Sequence, residues 1–240
     1  FTSSWLFSSI LATSCVTVAF CSNIMVIDKI NKANLDFKIT PVKKTTIQVS
    51  YFVSNFIATF LICFIVFIIS LIFFAIIGWY FSFVDVLLIL VNIVLGVLMG
   101  SLGATIAMTF ISSQGALSAV CALFSAMYGF LCGAYMPISQ FSTGIQNFVG
   151  FIPGTYITVL LRNFYMRGII GELGKVMPPE TIDGLKQGFD NVYNFFGNEV
   201  SSLAMYIIVI ATIMVLFSVY VFIVYLRSKK HKNKNYAIKT

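Results

Sequence analysis

The chain has 240 residues, of which 59% are hydrophobic and 10% charged; its mean hydropathy is +0.97 and its net charge +7. Soluble domains carry roughly 45–50% apolar and about 25% charged residues, so a soluble globular fold is excluded. Disorder, which needs low hydrophobicity and high charge, is excluded as well. What remains is a polytopic membrane protein.

A helix needs about 20 apolar residues to cross roughly 30 Å of hydrocarbon. Five stretches qualify: Trp5–Ile27, Tyr51–Gly78, Val86–Ile111, Gly115–Met136 and Leu203–Leu226. In lipid the backbone must satisfy its own hydrogen bonds, which forces these stretches to be helical. No charged segment precedes the first of them, so it does not read as a signal peptide. The five cysteines (Cys15, Cys21, Cys63, Cys121 and Cys132) lie inside apolar runs without metal-ligand spacing and read as small buried thiols.

The basic residues set the orientation. Lys29, Lys32, Lys38, Lys43 and Lys44 sit between the first two spans, and Arg227, Lys229, Lys230, Lys232, Lys234 and Lys239 follow the fifth. Positive-inside logic puts both groups in the cytoplasm, and four intervening spans make the two placements consistent. Trp5, Trp79 and Tyr80 then fall at the outer interface, and Phe1 lies outside. A chain that begins outside without a signal peptide leads us to expect a sixth, N-terminal span in the parent protein. The tail 227–240 reads as a basic stop-transfer anchor, with lipid or RNA recognition as the sharper alternative.

Between the fourth and fifth spans, Pro137–Ser202 is more than a loop. Ile138, Phe141, Ile145, Phe148 and Ile152 form one helical face, which Gly150 and Pro153 end. Thr155 is placed to cap a second helix, Tyr156–Arg167, stopped by Gly168. Each piece is too short to span, and together they predict a re-entrant helical hairpin in the outer leaflet. Pro178-Pro179-Glu180 then opens a further helix with an apolar stripe of Ile182, Leu185, Phe189, Val192, Tyr193 and Phe196, ended by Gly197. That helix is expected to lie in the outer interface or to cap the bundle.

No catalytic signature stands out. His231 is the only histidine, no metal site is expected, and Gly168–Lys175 lacks the glycine spacing and the Ser/Thr of a phosphate loop. No Asp, Glu, Lys, Arg or His lies within the five spans, whereas proton- and ion-coupled transporters usually need an ionisable group of that kind there. A driving force from outside the bilayer is therefore favoured. The polar residues of the spans (Asn23, Ser54, Asn55, Thr59, Asn92, Thr105, Thr109, Ser118 and Ser125) join helices or contact a transported substrate. Gly96, Gly100, Gly103, Ala104 and Ala107 make a small-residue face on the third span, and Gly129 and Gly133 one on the fourth, both suited to close helix packing.

The loop between the first two spans reads Asp28-Lys-Ile-Asn-Lys-Ala-Asn-Leu-Asp-Phe-Lys-Ile-Thr-Pro41-Val-Lys-Lys44. Leu35, Phe37, Ile39 and Val42 give it an apolar edge, fit for a short cytosolic helix presented to a partner or for an ordinary solvated loop. Its Asp-Lys start, Asp36-Phe37 and Thr40-Pro41-Val42-Lys43-Lys44 resemble the first cytoplasmic loop of type-2 (ABC-2 type) ATP-binding-cassette exporter permeases, although Lys32 stands where that family usually has glycine. Gly133-Ala-Tyr-Met-Pro137, Ile152-Pro-Gly-Thr-Tyr156 and Leu161-Arg162 are similar to the family's outer re-entrant hairpin. The order of elements agrees from the family's second span to its end.

The resemblance implies that residues 1–226 are an ABC type-2 transmembrane domain lacking the first span. It implies a permease subunit exporting an amphipathic substrate (drug, peptide, lipid or polysaccharide) with a second permease half, as homo- or heterodimer. The chain itself would be no enzyme and carry no cofactor; ATP and Mg would be held by a separate ABC ATPase subunit. Asp28, Lys29, Asp36, Phe37, Thr40 and Pro41 would form the ATPase contact, and Pro137, Pro153, Tyr156 and Arg162 the outer gate. For Arg162 the alternative is a side chain snorkelling to headgroups. Membrane lipids are expected partners and nucleic acid is not. The Lys-, Asn-, Ile- and Phe-rich composition points to a bacterial plasma membrane. The alternative function is an ATP-independent channel or lipid scramblase.

Overall fold

The computed structural model describes residues 1–33 and 42–237. They form nine α-helices: α1 (Thr2–Cys21), α2 (Ile24–Ile30), α3 (Lys44–Ile77), α4 (Phe83–Thr109), α5 (Gln114–Leu131), α6 (Thr143–Val149), α7 (Pro153–Leu173), α8 (Pro179–Gly188) and α9 (Ser202–Ala237). Among the described residues five stretches are long and apolar enough to cross a membrane: Thr2–Ile30, Thr45–Ile77, Phe83–Thr109, Gln114–Leu131 and Ser202–Leu226. These correspond to the five expected spans, with α1 and α2 together making the first.

The caps are local. Ser82 and Asp85 form a capping box that starts α4, and the Ser113 hydroxyl accepts from the Ala116 amide at 3.3 Å to start α5. The Ser22 hydroxyl donates to the Val18 carbonyl at 2.5 Å where α1 gives way to α2. Lys32, just past the end of α2, has φ +61°. That left-handed conformation is one that glycine adopts freely and other residues adopt at a cost.

The core is built on α1, α4 and α7. Gly96 and Gly100 let α4 lie directly on α1. A Cβ at Gly96 would meet Cys15 at 3.2 Å, and one at Gly100 would run into the Cys15 carbonyl. Gly103, expected on the same packing face, has open space around it. The most enclosed helix is α7, buried from Gly154 to Met166 on nearly every side. It begins at the depth of Cys15 and Gly96, where Ile157 touches them, and ends beside Tyr80, against whose carbonyl Gly168 packs.

Several sequence expectations are corrected in this region. The helix foreseen for Tyr156–Arg167 runs from Pro153 to Leu173, because Gly168 lies against Tyr80 and needs no turn there. Thr155 does not cap α7. The Ile152 backbone does, and the Thr155 hydroxyl donates instead to the Val149 carbonyl at 2.9 Å. The fourth span stops at Leu131, so Gly133 sits not on a helix face but at a left-handed turn with φ +72°. The face foreseen from Ile138 divides into a 3-10 turn, Ile138–Gln140, and α6. The stripe foreseen to Phe196 is cut at Gly188. Tyr193 and Phe196 belong to a two-stranded hairpin, Asn194–Phe195 with Asn198–Glu199, which is the β-structure among the described residues. Its turn residues Phe196 and Gly197 both have positive φ, the pattern of a tight two-residue hairpin. The backbone helix of α9 continues through Ala237, past the expected end of the span.

Candidate functional site

Two clusters of contacts mark opposite ends of the first span. At the basic end, the Lys29 ammonium donates to the carbonyls of Met108 (2.8 Å), Thr109 (3.1 Å) and Ile111 (2.9 Å). Met108 and Thr109 end α4 and Ile111 lies just beyond it, where carbonyls lack helical partners and the helix dipole is negative. Next to it, Tyr51 of α3 donates to the Asp28 carboxylate at 2.6 Å. The seven-residue helix α2 is thus clamped to two other spans through the two residues expected to open the loop. Asp36, Phe37, Thr40 and Pro41 lie outside the described residues.

At the far end, α6 and α7 meet at 95°. The broken backbone is closed by side chains: besides Thr155, Tyr156 donates to the Gly150 carbonyl at 2.6 Å. Pro153 occupies the first turn of α7, where its missing N–H costs nothing. Pro137 leads into the 3-10 turn. The four residues expected at the gate therefore belong to one connected structure, with Pro153 at the deep start of α7 and Arg162 two to three turns further along it.

Arg162 is its centre. It does not reach for headgroups; it is 0% exposed. Its Nη1 bonds the Asp190 carboxylate at 2.9 Å, and its Nη2 donates to the Gly133 carbonyl and to Ser9 Oγ at 3.2 Å. Its guanidinium carbon stands 4.9 Å from the centre of the Trp5 ring, a cation–π contact. Asp190 in turn accepts from the backbone amides of Ile138 and Ser139, the latter at 2.9 Å. Burial pushes the Asp190 carboxyl above its ordinary value, while Arg162 and the two amides pull it back. One ion pair so joins α1, the α5 exit, the 3-10 turn, α7 and the segment after α8. Arg167, further along α7, reaches the buried Asp85 at 3.4 Å.

Polar pairs also tie the spans in the interior. Ser70 and Tyr165 share a hydrogen bond at 2.7 Å, and Asn92 donates to Tyr206 at 2.7 Å. Sequence reading foresaw Arg162 and Asn92 but missed Asp190, Ser9, Trp5 and Tyr165 as partners. A buried arginine demands an acid, yet Glu172, Glu180, Asp183, Asp190 and Glu199 were equally available along the chain; only the turn after α8 selects Asp190. Among the described residues no group of three or more His, Cys, Asp or Glu side chains is placed to hold a metal.

The fold and its apolar helices define an all-α polytopic membrane protein with a small hairpin in its last connection. No protein family, curated protein or solved structure matches the chain.

Proposed function

We propose that this chain is the membrane-embedded permease subunit of an ATP-driven exporter of the type-2 ABC class, powered by an ATPase on a separate protein. The observation that carries the reading is the clamp at the basic end. A segment that passed mechanical work from a cytosolic partner to the bundle would need rigid attachment to several spans where it enters. Lys29 and Asp28 attach α2 to α4 and α3 immediately before the loop. Two further features favour it. Lys32 holds a glycine-like φ of +61° at the position where the resembling loops carry glycine. The 95° bend between α6 and α7, its polar groups satisfied within the protein, suits a re-entrant hairpin that gates the far side.

In this reading the basic end faces the cytoplasm and the Arg162 end the exterior. Asp28, Lys29, Asp36, Phe37, Thr40 and Pro41 are the ATPase contact, and Pro137, Pro153, Tyr156 and Arg162 shape the exit. A second permease half completes the pathway for an amphipathic substrate. The test is co-purification of an ATPase from the native membrane and ATP-stimulated efflux by the reconstituted complex. Phe37→Ala or charge reversal of Lys43 and Lys44 is expected to abolish both while the chain still inserts. Transport that survives these changes without an ATPase would replace the exporter by a channel or scramblase.

A further inference from the structure

The donors around Asp190 make up a recognisable set. Two consecutive backbone amides, Ile138 and Ser139, and one guanidinium, Arg162, converge on a single carboxylate. Proteins hold phosphate-type anions with the same chemistry: successive backbone N–H groups and arginine. Here the anion is the chain's own side chain.

Three observations set the node apart from a closed structural ion pair. Arg162, fully buried, keeps its Nε–H without a partner, and the Trp5 indole N–H beside it is unpartnered too. Two donors next to the ion pair are thus left without a partner. A cavity of about 150 Å³ opens against Asp190 on the side of its two backbone amides, lined by Ile138, Ser139, Gln146, Val192 and Tyr193 among others, and not by Arg162 or Trp5. The depth also fits. Ser9, bonded to Arg162, and Lys29, bonded to the end of α4, are separated by roughly 30 Å of helix, about one hydrocarbon thickness. With Lys29 at one boundary, Arg162 lies at the other, where headgroup phosphates sit.

We infer that the Arg162 cradle is an anion-binding site, that Asp190 is its resident internal ligand, and that a phosphate-type anion takes its place there. The anion comes either on the headgroup of a lipid-like amphiphile or free in solution. The site stands independently of any ATPase, and its test uses none.

The full chain carries two tryptophans, so Trp79→Phe leaves Trp5, next to the guanidinium, as the only indole. In that background, purified in a neutral detergent, Trp5 emission is titrated with inorganic phosphate, dioctanoyl phosphatidic acid and dioctanoylglycerol. Asp190→Gly empties the cradle and suits the φ of +53° at that position. Removing an internal competitor that occupies the site most of the time is expected to lower half-saturation about tenfold or more. Arg162→Gln is expected to abolish the response. Equal response to phosphate and phosphatidic acid assigns the site to free anions; response to phosphatidic acid alone assigns it to headgroups. Either supports the site. Asp190→Gly binding no more tightly than its parent, or dioctanoylglycerol matching phosphatidic acid, overturns it. Should Asp190→Gly not fold, the parent decides: absence of a saturable, headgroup-dependent change in Trp5 emission at millimolar ligand overturns the inference.

Discussion

Breaking the Arg162–Asp190 pair from one side at a time measures what holds the far end together. Arg162→Met is nearly isosteric along its stem but leaves the Asp190 carboxylate buried with only the Ile138 and Ser139 amides. Asp190→Asn leaves a guanidinium that keeps the Gly133 carbonyl, Ser9 and the Trp5 ring, and the new amide oxygen can still accept from the backbone. Removing one partner of a buried pair costs about 3–5 kcal/mol, because the other charge stays desolvated. Arg162→Met belongs at the upper end of that range and Asp190→Asn at the lower. For a chain of this size a loss of 3–5 kcal/mol is a fall in Tm of roughly 6–20 °C. The double variant leaves no uncompensated charge, so it should lie above the sum of the singles by about 1–3 kcal/mol. The assay is thermal unfolding of the detergent-solubilised chain followed by tryptophan emission. Arg162→Met melting within about 2 °C of the parent, less than 1 kcal/mol, would refute the assignment of this pair as the node of the far end.

Other perturbations address the remaining contacts. Gly100→Leu forces a side chain onto the Cys15 carbonyl and should cost about 1–3 kcal/mol or more by overpacking, read as a lower Tm, whereas Gly103→Ala, in open space within the helix, should hold or raise Tm. Lys29→Met uncaps α4; the expected loss is about 1–2 kcal/mol, and hydrogen exchange should quicken at the end of α4 before it quickens elsewhere. Tyr165→Phe and Ser70→Ala should each cost about 1 kcal/mol, with the double variant no worse than the larger single, since both delete the same hydrogen bond. Lys32→Gly should hold or raise Tm and Lys32→Val lower it, because a β-branched residue resists φ +61°.

What the sequence disclosed follows from which solvent each segment meets. Spans against lipid must be long and apolar, so α4 was readable from hydropathy to within three residues at either end, whereas α3 begins at Lys44 and α9 runs to Ala237, each beyond the apolar stretch that announced it. The charged ends were readable for the same reason. Partners were not. Nothing in the order of residues says that Asp28 meets Tyr51 or that Lys29 reaches past α3 to the end of α4, 79 to 82 positions away. Stop signals failed where packing supplied another use for the residue. Gly168 and Gly171 look like helix terminators, yet α7 runs through both, and Gly168 serves the approach to Tyr80.

The case of α7 shows why the far end resists a reading by hydropathy. Its residues Thr155, Thr158, Arg162 and Asn163 make it too polar for a span, and its length and Pro153 start look like those of a surface helix. It is nonetheless the most enclosed element, because its surroundings are protein rather than lipid. Beside its buried apolar residues, the polar side chains of α7 are accommodated largely by hydrogen bonds: Thr158 back-bonds to Gly154, Tyr165 meets Ser70, and Arg162 finds four groups at once. A polar helix can occupy the middle of a membrane bundle only if its neighbours supply those partners together. The loop carrying Asp190 is therefore as much a condition for α7 as the spans that wall it. Displacing that one carboxylate would unlink the 3-10 turn from α7, whereas α7 itself would stay tied through Arg162 to Ser9 and the Gly133 carbonyl, through Arg167 to Asp85 and through Tyr165 to Ser70.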